Sequence, residues 1–429
     1  MLDIKLIREN PDFVKANLSK RGNRENTRIL EELVVTDEKW REDLTKLNSL
    51  RHERRLVTAE IAASKKAGKD ISQKLTEAKE IDLKITTIEK EVTQAEQRTR
   101  DFLMQLPNLL HDSVPFGKDE SDNVQVRKWG KVPVFTFPVK NHIDLALPLN
   151  IIDTERAGKV TGARFFFLKG EGALLDMALM SFALEEMTKK GYLPVEPPLL
   201  MRREPYEGVT SLGDFADVLY KIENEDLYLI ATSEHPMAAM FMNEVLREED
   251  LPIKLAGIST CFRKEAGVHG KDTRGIFRTH QFNKIEQFVF CTPEDSWKIH
   301  EELLSNAEDL VQKLGLPYRV VNVCTGDIGT VAAKKYDIEA WMPAQKDYRE
   351  IISCSNCTDY QARRLNIRYR EKEGTPTKGF VHTLNSTAIA TGRTIVALIE
   401  NFQQPDGTIS IPKVLREYMG NNEMIGQKR

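Results

Sequence analysis

The feature that most restricts the fold is the stretch from Thr36 to Phe102, which contains no proline and is dense in Glu, Lys, Arg, Leu and Ile. Such a composition favours long, exposed helices. In its second half, apolar residues recur at spacings of three and four, which predicts the seam of an antiparallel coiled coil. The seam positions there are Ile71, Leu75, Ala78, Ile81, Ile85, Ile88, Val92 and Ala95, and the less regular first half offers Trp40, Leu44, Leu47 and Ile61.

The pattern breaks between Lys65 and Asp70, where Gly68 permits a reversal of the chain. We therefore expect two long helices joined at Gly68, spanning about residues 36–103, with Leu2 to Leu33 as a small helical base.

The expected tip of this helical hairpin is basic, although the whole chain carries a net charge of −3. The basic residues, which outnumber Glu53 and Glu60, are Arg51, Arg54, Arg55, Lys65, Lys66 and Lys69. A phosphate backbone is attracted to such a cluster, which favours a nucleic-acid contact. A merely solvated helical surface is the alternative that the charges alone leave open.

A second informative stretch, Cys261 to Phe290, has the pattern of a long β-hairpin. Alternating strand-forming residues end near Glu265 and resume at Phe277. The turn-forming residues between them, which predict a mobile loop, are Gly267, Gly270, Lys271 and Asp272. Side chains two apart share a face of a strand, so one face of the second strand should carry Arg278, His280, Phe282, Lys284 and Glu286. A solvated amphipathic hairpin would show the same alternation.

Composition excludes several classes of protein. The sequence has no apolar run long enough to span a membrane, and its start carries acidic residues and no apolar signal core. Five cysteines, an odd number, favour reduced thiols and a cytoplasmic protein. Cys354 and Cys357 form an isolated C-x-x-C, so we expect no zinc, because a structural site needs four ligands. The phosphate-binding loop, nucleophile-elbow and zinc-protease motifs do not occur.

The hairpin sequence, with FRKEAG and RTHQFNKIEQF, resembles the second signature motif of the class II aminoacyl-tRNA synthetases, and within them of the seryl-tRNA synthetase family. Three further stretches are similar to that family, namely TSEHP from Thr232, YREIISCSNCTDYQARR from Tyr348 and HTLNSTAIATGRTIVALIEN from His382. The resemblance extends from Met1 to about Gly420 in the family's order and spacing. Such an agreement of several motifs is far more specific than any one of them.

The resemblance implies an α+β fold, with a class II antiparallel β-sheet catalytic core flanked by helices and an N-terminal antiparallel coiled-coil arm. We expect a tRNA-binding domain at residues 1–115 and a catalytic domain at residues 116–429, joined through a linker rich in proline and glycine from Pro107 to Pro138. The helix Gly172 to Lys190 and the strand Tyr192 to Pro198 are similar to the family's first motif, which forms its dimer interface. Burial within one subunit explains their apolar pattern equally well.

For ATP, the resemblance implies contacts from Arg263, Lys264, Glu265, Arg278, Thr279, Phe282, Glu350, Ile351, Ile352, Ser353 and Arg393. Arg263 would hold the α-phosphate and the serine carboxylate, because a planar guanidinium binds two oxygens at once. Glu265 would read the adenine amino group, and Phe282 and Arg393 would cover the two faces of the ring. Arg278 and Arg393 would also hold the γ-phosphate end, and Gly392 replaces the family's usual proline and predicts a looser turn.

The resemblance assigns Mg²⁺ to Glu350 and Ser353, a carboxylate and a hydroxyl that suit a hard cation. A spacing of three places them on opposite faces of a regular strand, so a bulge or twist is implied. The alternative is that Glu350 pairs with a nearby arginine such as Arg349 or Arg363.

For serine, the resemblance implies a pocket of Thr232, Ser233, Glu234, Arg263, Glu286, Asn385 and Thr387. We expect Thr232 and Glu234 to share a strand face. Carboxylates suit both the ammonium and the hydroxyl of serine, and alanine would leave such buried groups unpaired.

We therefore expect a cytoplasmic, homodimeric enzyme that activates L-serine with ATP and Mg²⁺ and transfers it to tRNA(Ser), and to tRNA(Sec) where the cell has one. The arm, with Arg51, Arg54, Arg55, Lys65 and Lys66, would bind the tRNA. A paralogue that loads a carrier protein would have a reduced arm, and a non-catalytic RNA-binding descendant would have lost motif residues; neither loss is seen in the sequence.

Overall fold

The computed structural model describes residues 1–210, 218–265 and 275–427. The chain divides into two compact units, Met1–Pro107 and Asn108–Arg429. The boundary falls at the first proline of the predicted linker. The described residues contain no helix that is long and apolar enough to cross a membrane.

The first unit is helical, with α1 at Ile4–Glu9, α2 at Pro11–Ser19, α3 at Arg24–Lys66 and α4 at Ser72–Gln105. Asn10 and Asn23 cap α2 and α3 by accepting hydrogen bonds from Phe13 N and Glu25 N. The helix α3 begins at Arg24, so the predicted base and arm share one continuous helix, with no break after Leu33. The reversal at Gly68 is confirmed, and this glycine has a φ of +68°, a left-handed conformation that favours glycine.

The seam between α3 and α4 includes a small apolar cluster in which Val57 lies against Ala78 and Ile81. Leu47, Val92 and Ala95 are also buried. Leu75, however, is 44% exposed, so its predicted place in the seam was wrong. The packing instead uses Val57, which the sequence analysis did not select.

The strands of the second unit are β1 at Val124–Trp129, β2 at Ile152–Asp153, β3 at Phe167–Leu168, β4 at Leu193–Val195, β5 at Leu200–Met201, β6 at Tyr228–Leu229, β7 at Val245–Arg247, β8 at Ile253–Phe262, β9 at Gln281–Cys291, β10 at Tyr318–Asn322, β11 at Lys334–Met342, β12 at Asp347–Asn356, β13 at Arg368–Arg370, β14 at Gly379–Phe380, β15 at His382–Ala390, β16 at Ile409–Ser410 and β17 at Met424–Ile425. Eight of them form one sheet in the order β1-β10-β11-β12-β15-β9-β8-β4. All its pairs are antiparallel except β4 with β8. The predicted antiparallel core is confirmed.

The helices of this unit are α5 at His142–Ala146, α6 at Thr154–Thr161, α7 at Glu171–Lys189, α8 at Arg203–Val209, α9 at Glu234–Ala239, α10 at Ser296–Lys313, α11 at Tyr360–Leu365 and α12 at Thr391–Asn401. The main core joins α7, α10 and α12 to one face of the sheet. Within α7, Leu175 and Phe182 are buried in this core, whereas Leu174 is 49% exposed.

The alternation along β9 divides its side chains between two environments. Ile285 and Val289 belong to the main core, while Phe288 and Phe290 enter a second apolar cluster on the other face. Glu286 and Phe282 share the parity of Phe288, so the sheet presents them on the face away from the main core.

The predicted extents of three strands were wrong. The first strand of the hairpin ends at Phe262 and the second begins at Gln281, so Arg278 and His280 precede the strand. The predicted turn residues Gly267, Gly270, Lys271 and Asp272 lie outside the described residues. The strand predicted for residues 192–198 is reduced to β4, since Pro194, Pro197 and Pro198 limit its ladder.

Candidate active site

A cavity of about 370 Å³ opens on the face of the sheet that carries Phe282 and Glu286. Its size is typical of a site for a small-molecule ligand. Most residues predicted from the sequence line it, namely Thr232, Glu234, Arg263, Glu265, Arg278, Thr279, Phe282, Glu286, Glu350, Ile351, Ser353, Asn385, Thr387 and Arg393. Three strands, β9, β12 and β15, supply its floor, because their registers align Glu286 with Thr387 and Ser355 with Asn385.

Three predicted residues have side chains outside this lining. Ile352 is buried in the main core, and Ser233 is buried with its hydroxyl 3.5 Å from the carbonyl oxygen of Gly257. Lys264 donates its backbone N–H to Val218 O. Any ligand contact from these three would therefore be made by the main chain or after a rearrangement of the side chain.

One end of the cavity is a buried polar cluster around Glu286. Its carboxylate pairs with Lys284 and accepts a hydrogen bond of 3.2 Å from the Thr387 hydroxyl. Lys284 also donates to the Thr232 hydroxyl at 2.6 Å. Glu286 and Lys284 are only 2% and 4% exposed, so each charge depends on the other for its stability. The cluster offers oxygen acceptors and hydroxyl groups to a small polar ligand.

Glu234 borders the same end of the cavity. Its Oε1 accepts hydrogen bonds from Asn385 Nδ2 at 3.1 Å and from Gln361 Nε2 at 3.3 Å. Burial, together with the neighbouring Glu286 carboxylate, raises the pKa of Glu234 to about 7, although Lys284 acts in the opposite direction. The carboxyl group is thus poised to lose its proton when a cationic ligand arrives.

Thr232 and Glu234 reach the cavity from a turn and the start of α9, and the prediction that they share a strand face was wrong. Glu234 N donates to Thr232 Oγ1 at 3.1 Å, which fixes the turn. Gly257 of β8 makes the approach possible, because a Cβ at this position would lie 2.7 Å from Ser233 Oγ and 2.5 Å from Met237 Cε. Glycine therefore lets this turn lie directly on the sheet.

The other end of the cavity combines arginines with aromatic rings. The Arg263 guanidinium carbon lies 5.1 Å from the centre of the Phe282 ring, and Arg263 Nε donates to Ala231 O at 3.3 Å. Arg278 donates to the Glu265 carboxylate at 3.2 Å. An arginine above a ring and a second arginine nearby suit a ligand with a flat ring and phosphate groups.

Phe277 is a platform for two further arginines. The guanidinium carbons of Arg349 and Arg393 lie 4.4 and 5.1 Å from its ring centre. Arg393, in the first turn of α12, donates to the main-chain oxygen of Glu350 at 2.8 Å and lies 3.1 Å from its carboxylate. Glu350 thus pairs with Arg393 rather than with Arg349 or Arg363. Gly392 is helical and buried, and a Cβ on it would lie 3.2 Å from Ile276 O.

The predicted bulge between Glu350 and Ser353 is confirmed. On β11, the neighbouring residues Ile338 and Glu339 pair with Ile352 and Glu350, so Ile351 is an extra residue of β12. The bulge brings Glu350 and Ser353 to the cavity together, while Ile352 between them remains in the core.

Glu350 and Ser353 fit a magnesium ion whose other ligands are not supplied by the protein. Although burial acts to raise it, the cations of Arg393 and Lys335 lower the pKa of Glu350 to about 2, so the carboxylate is ionised at neutral pH. Ser353 hydrogen-bonds Asp337, a buried carboxyl group with one oxygen that has no partner among the described residues. The described ranges contain no group of three or more His, Cys, Asp or Glu that could hold a metal alone. Mg²⁺ commonly completes its coordination with water and phosphate oxygens.

Sequence reasoning missed Lys284 and Phe277 as site residues. The alternation of the hairpin predicted that Lys284 and Glu286 share a face, but it did not predict that the two side chains form an ion pair. Phe277 precedes the strand, and its contacts depend on the positions of Arg349 and Arg393, which no local pattern predicts.

The basic residues of the arm fall into two sets. Arg51 pairs with Glu89 at 2.8 Å and Arg54 with Asp82 at 2.7 Å, both across the two helices. Arg55, Lys65 and Lys66 are exposed, and the described part of the arm gives them no ion pair. The acidic partners, Glu89 and Asp82, lie on the second helix and so reduce the basic charge that the first helix alone suggests.

Cys354, near the end of β12, and Cys357, directly after it, are both buried. Burial raises the pKa of both thiols well above its usual value. All five cysteines are free thiols.

Comparisons with known proteins agree with this geometry. The family model described as "Seryl-tRNA synthetase N-terminal domain" matches residues 1–110, and the one described as "tRNA synthetase class II core domain (G, H, P, S and T)" matches residues 219–402. The serine–tRNA ligase of Methanocella arvoryzae is 55% identical to this chain over 99% of its length and 100% of the relative's, and that of Thermococcus onnurineus is 53% identical over 99% and 97%.

Solved structures extend the comparison. The seryl-tRNA synthetase of Pyrococcus horikoshii, complexed with ATP, is 50% identical and superimposes with a TM-score of 0.96 over 100% of both chains. The cytoplasmic serine–tRNA ligase of Naegleria fowleri, complexed with AMP, is 40% identical with a TM-score of 0.89 over 100% of this chain and 99% of that one. Given the two matching family models and full-length relatives at such identity, this chain belongs to the seryl-tRNA synthetase family of class II aminoacyl-tRNA synthetases.

Proposed function

We propose that this protein is an ATP-dependent serine–tRNA ligase. It activates L-serine to seryl-adenylate with release of pyrophosphate, and it then transfers the seryl group to the 3′ end of tRNA(Ser). The observation that carries the proposal is the division of one cavity into two ends along β9, with Glu286 and Lys284 at the polar end and Phe282 near Arg263 at the other. A small zwitterion and a nucleotide thus have adjoining sites.

Activation requires no nucleophile from the protein. A carboxylate oxygen of serine attacks the α-phosphorus of ATP, the new bond gives a mixed anhydride, and pyrophosphate leaves with the electron pair of the broken P–O bond. Arg263 binds the serine carboxylate and the α-phosphate together, so it aligns the two reactants and compensates the charge that develops on phosphorus. Arg278 and Arg393 hold the departing pyrophosphate end.

Serine selection rests on the buried cluster. Glu286 accepts from the hydroxyl or the ammonium of serine, Thr387 offers the hydroxyl a second partner, and Thr232 and Glu234 face the ammonium. Asn385 holds the Glu234 carboxylate in this position. Alanine lacks the hydroxyl group and would leave these buried groups unpaired. The site should therefore reject alanine.

Glu350 and Ser353 would hold a magnesium ion, which supplies positive charge to the phosphate oxygens when it is bound. The ionised state of Glu350 and the oxygen donors at the bulge support this assignment. The remaining coordination would come from ATP and water. Zinc is not part of the proposal.

For the tRNA we propose the arm as the binding element, within a domain of residues 1–115 attached to a catalytic domain of residues 116–429. Arg55, Lys65 and Lys66 face solvent and are free to contact phosphates, whereas Arg51 and Arg54 must first leave their acidic partners. By analogy within the family, tRNA(Sec) would be charged in cells that contain it. A cytoplasmic location is consistent with five free thiols.

We also propose a homodimer built on α7 and β4. Leu174, Met177 and Leu193 are 49%, 62% and 61% exposed, which is a large apolar exposure for one helix and its following strand. Sedimentation of the purified protein tests this arrangement, and a monomer at micromolar concentration would refute it.

Pyrophosphate exchange with each of the common amino acids tests the activity itself. We expect exchange with serine alone, followed by transfer of serine to a tRNA(Ser) transcript; a tRNA(Sec) transcript added in parallel tests the wider substrate range. Exchange without transfer to tRNA would favour a carrier-loading paralogue, and tRNA binding without exchange would favour a non-catalytic descendant.

A further inference from the structure

His142 and Glu400 form a buried pair outside the lining of the cavity. The imidazole Nδ1 lies 3.2 Å from Glu400 Oε1, and the same oxygen accepts the His142 backbone N–H at 3.2 Å. The second carboxylate oxygen accepts the backbone N–H of Ala344 at 3.1 Å. Both side chains are buried, with Glu400 only 1% exposed. The carboxylate is thus fixed by three donors and in turn fixes the ring.

The other nitrogen of the ring holds the main chain that leads into the cavity. Ile276 donates its backbone N–H to His142 Nε2 at 3.4 Å. Because Nε2 accepts this bond, the proton of the neutral imidazole is on Nδ1, where it is donated to Glu400. The result is a chain of hydrogen bonds from Glu400 on α12, through His142 on α5, to Ile276.

Gly275 shows how closely the ring approaches this segment. A Cβ on Gly275 would lie 2.1 Å from His142 Nε2 and 2.7 Å from Ile143 Cδ1. Its φ of +90° also favours glycine. The imidazole therefore rests directly on the main chain at Gly275, a contact that any other residue would prevent.

The held segment continues directly into the nucleotide end of the cavity. Ile276, Phe277, Arg278 and Thr279 line it in succession. Phe277 supports Arg349 and Arg393, and Arg278 pairs with Glu265. Glu286 and Thr387, at the serine end, belong instead to β9 and β15 and are fixed by the sheet.

We propose that His142 and Glu400 are positioning residues for ATP. They fix the main chain at Gly275 and Ile276, and thereby place Phe277 and Arg278 for the nucleotide without touching it. The helix α12 then serves the site twice, directly through Arg393 near its start and indirectly through Glu400 near its end. The inference rests on the proposed activation of serine by ATP.

Two near-isosteric variants separate the two bonds of the ring. His142→Gln can still offer an oxygen to Ile276 N, whereas His142→Asn can reach Glu400 but not Ile276. We expect His142→Asn to raise the KM for ATP in pyrophosphate exchange about fivefold, which corresponds to the loss of one net hydrogen bond. His142→Gln should raise it less, and neither variant should change the KM for serine. Glu400→Gln should act as His142→Asn does.

The close contact between Gly275 and the His142 ring allows an independent test. Gly275→Ala should weaken ATP binding, measured by calorimetry without serine, because the new methyl group meets the ring. His142→Ala should weaken it as well, and the double variant should lose less than the sum of the two single losses, because the methyl group has no ring to meet once His142 is removed. His382→Ala is the matched control, since it loses one hydrogen bond, to Ser296, outside the cavity; it should lower the melting temperature without separating the two KM values.

Equal increases in both KM values, or losses of ATP affinity that simply add in the Gly275→Ala/His142→Ala protein, would overturn the inference. The failure of the proposed function has a different signature, because the unmodified enzyme would then show no serine-dependent exchange at all.

Discussion

At the scale of single residues, Glu286 is the side chain whose loss should affect one substrate alone. Glu286→Gln preserves the shape of the side chain and a partner for Lys284, but it removes the charge that we propose binds serine. We expect the KM for serine in pyrophosphate exchange to rise about tenfold to a hundredfold, the range for a hydrogen bond to a charged group, while the KM for ATP stays within about twofold.

A matched control for this variant is Glu308→Gln. Glu308 is also buried and paired with an arginine, Arg127, but it lies outside the cavity lining. This change should affect stability without raising the KM for serine. An unchanged KM for serine in Glu286→Gln would remove Glu286 from the substrate site.

Glu234 should make serine binding depend on pH. Burial and Glu286 raise its pKa to about 7 in the empty site, and serine's ammonium favours the ionised form. Below pH 7 a growing fraction must lose a proton before serine binds, so the KM for serine should rise roughly tenfold between pH 8 and pH 6. Steady-state exchange across this range measures it, and a flat profile would contradict the assignment.

The raised pKa of Glu234 also affects the stability of the fold, which should be greater at low pH, whereas serine binding should be tighter at high pH. Because the pKa of Glu234 is higher in the folded chain than in the unfolded one, the folded state retains the proton, and stability is lost as pH rises from about 4.5 through 7. Glu234→Gln should therefore melt at a higher temperature than the unmodified protein at pH 8, with the difference reduced at pH 5.

At the scale of elements, the features that could be predicted from the sequence are those that depend on residues close together in the chain. The bulge of β12 followed from a spacing of three between Glu350 and Ser353, since a strand has a period of two. The face of β9 that carries Phe282 and Glu286 followed from the same period. These features are encoded within a few neighbouring residues.

Features that depend on distant residues were missed or misplaced. Thr232 and Glu234 were expected on a strand, but Gly257, which is remote in sequence, lets a turn fit there instead. The pairing of Arg51 with Glu89 depends on the register between two helices. The exposure of Leu75 has the same origin, because the spacing of apolar residues does not specify which of them meet a partner.

The arm should use its basic residues unequally. If Arg55, Lys65 and Lys66 contact phosphates, replacing all three with Gln should reduce the slope of log affinity for tRNA(Ser) against log salt by about 0.7 to 0.9 for each lost contact. Replacing Arg51 and Arg54 should reduce it less, because Glu89 and Asp82 already hold them.

Asp82→Asn combined with Glu89→Gln is the control for this comparison. Freed from their partners, Arg51 and Arg54 should then bind more tightly, and the slope should become steeper. Filter binding at several salt concentrations measures all three proteins, and equal slopes would argue against an electrostatic contact at this part of the arm.

At the scale of the whole molecule, the separation into two units predicts separable activities. Every residue that lines the cavity belongs to the unit Asn108–Arg429. Replacing residues 36–102 with a short Gly-Ser linker retains the base residues Leu30, Leu33, Leu103 and Leu106, which are buried in the first unit. Serine-dependent pyrophosphate exchange should stay within about twofold, as expected for unperturbed transition-state binding.

Transfer of serine to tRNA(Ser) by the same protein should fall steeply, because the proposed RNA contacts are gone. Single-turnover transfer from preformed adenylate measures this step alone. Loss of exchange together with transfer would show that the arm supports the catalytic fold, and full transfer would show that the arm serves another partner.

The charged residues that line the cavity also have a consequence for electroneutrality. As far as the described residues form this lining, it carries four cations, Arg263, Arg278, Lys284 and Arg393, and four carboxyl groups, Glu234, Glu265, Glu286 and Glu350. Of these carboxyl groups, Glu234 has a pKa of about 7 and is charged only part of the time at neutral pH. Most of the cations and carboxylates already neutralise each other in pairs. Serine enters as a zwitterion and alters this balance by no more than the one proton that Glu234 releases, whereas ATP brings an excess of about four negative charges that the pairs cannot absorb. We therefore expect the nucleotide to arrive with its own counter-ions, and the magnesium ion proposed at Glu350 and Ser353 would then be a condition of its entry as well as of the reaction.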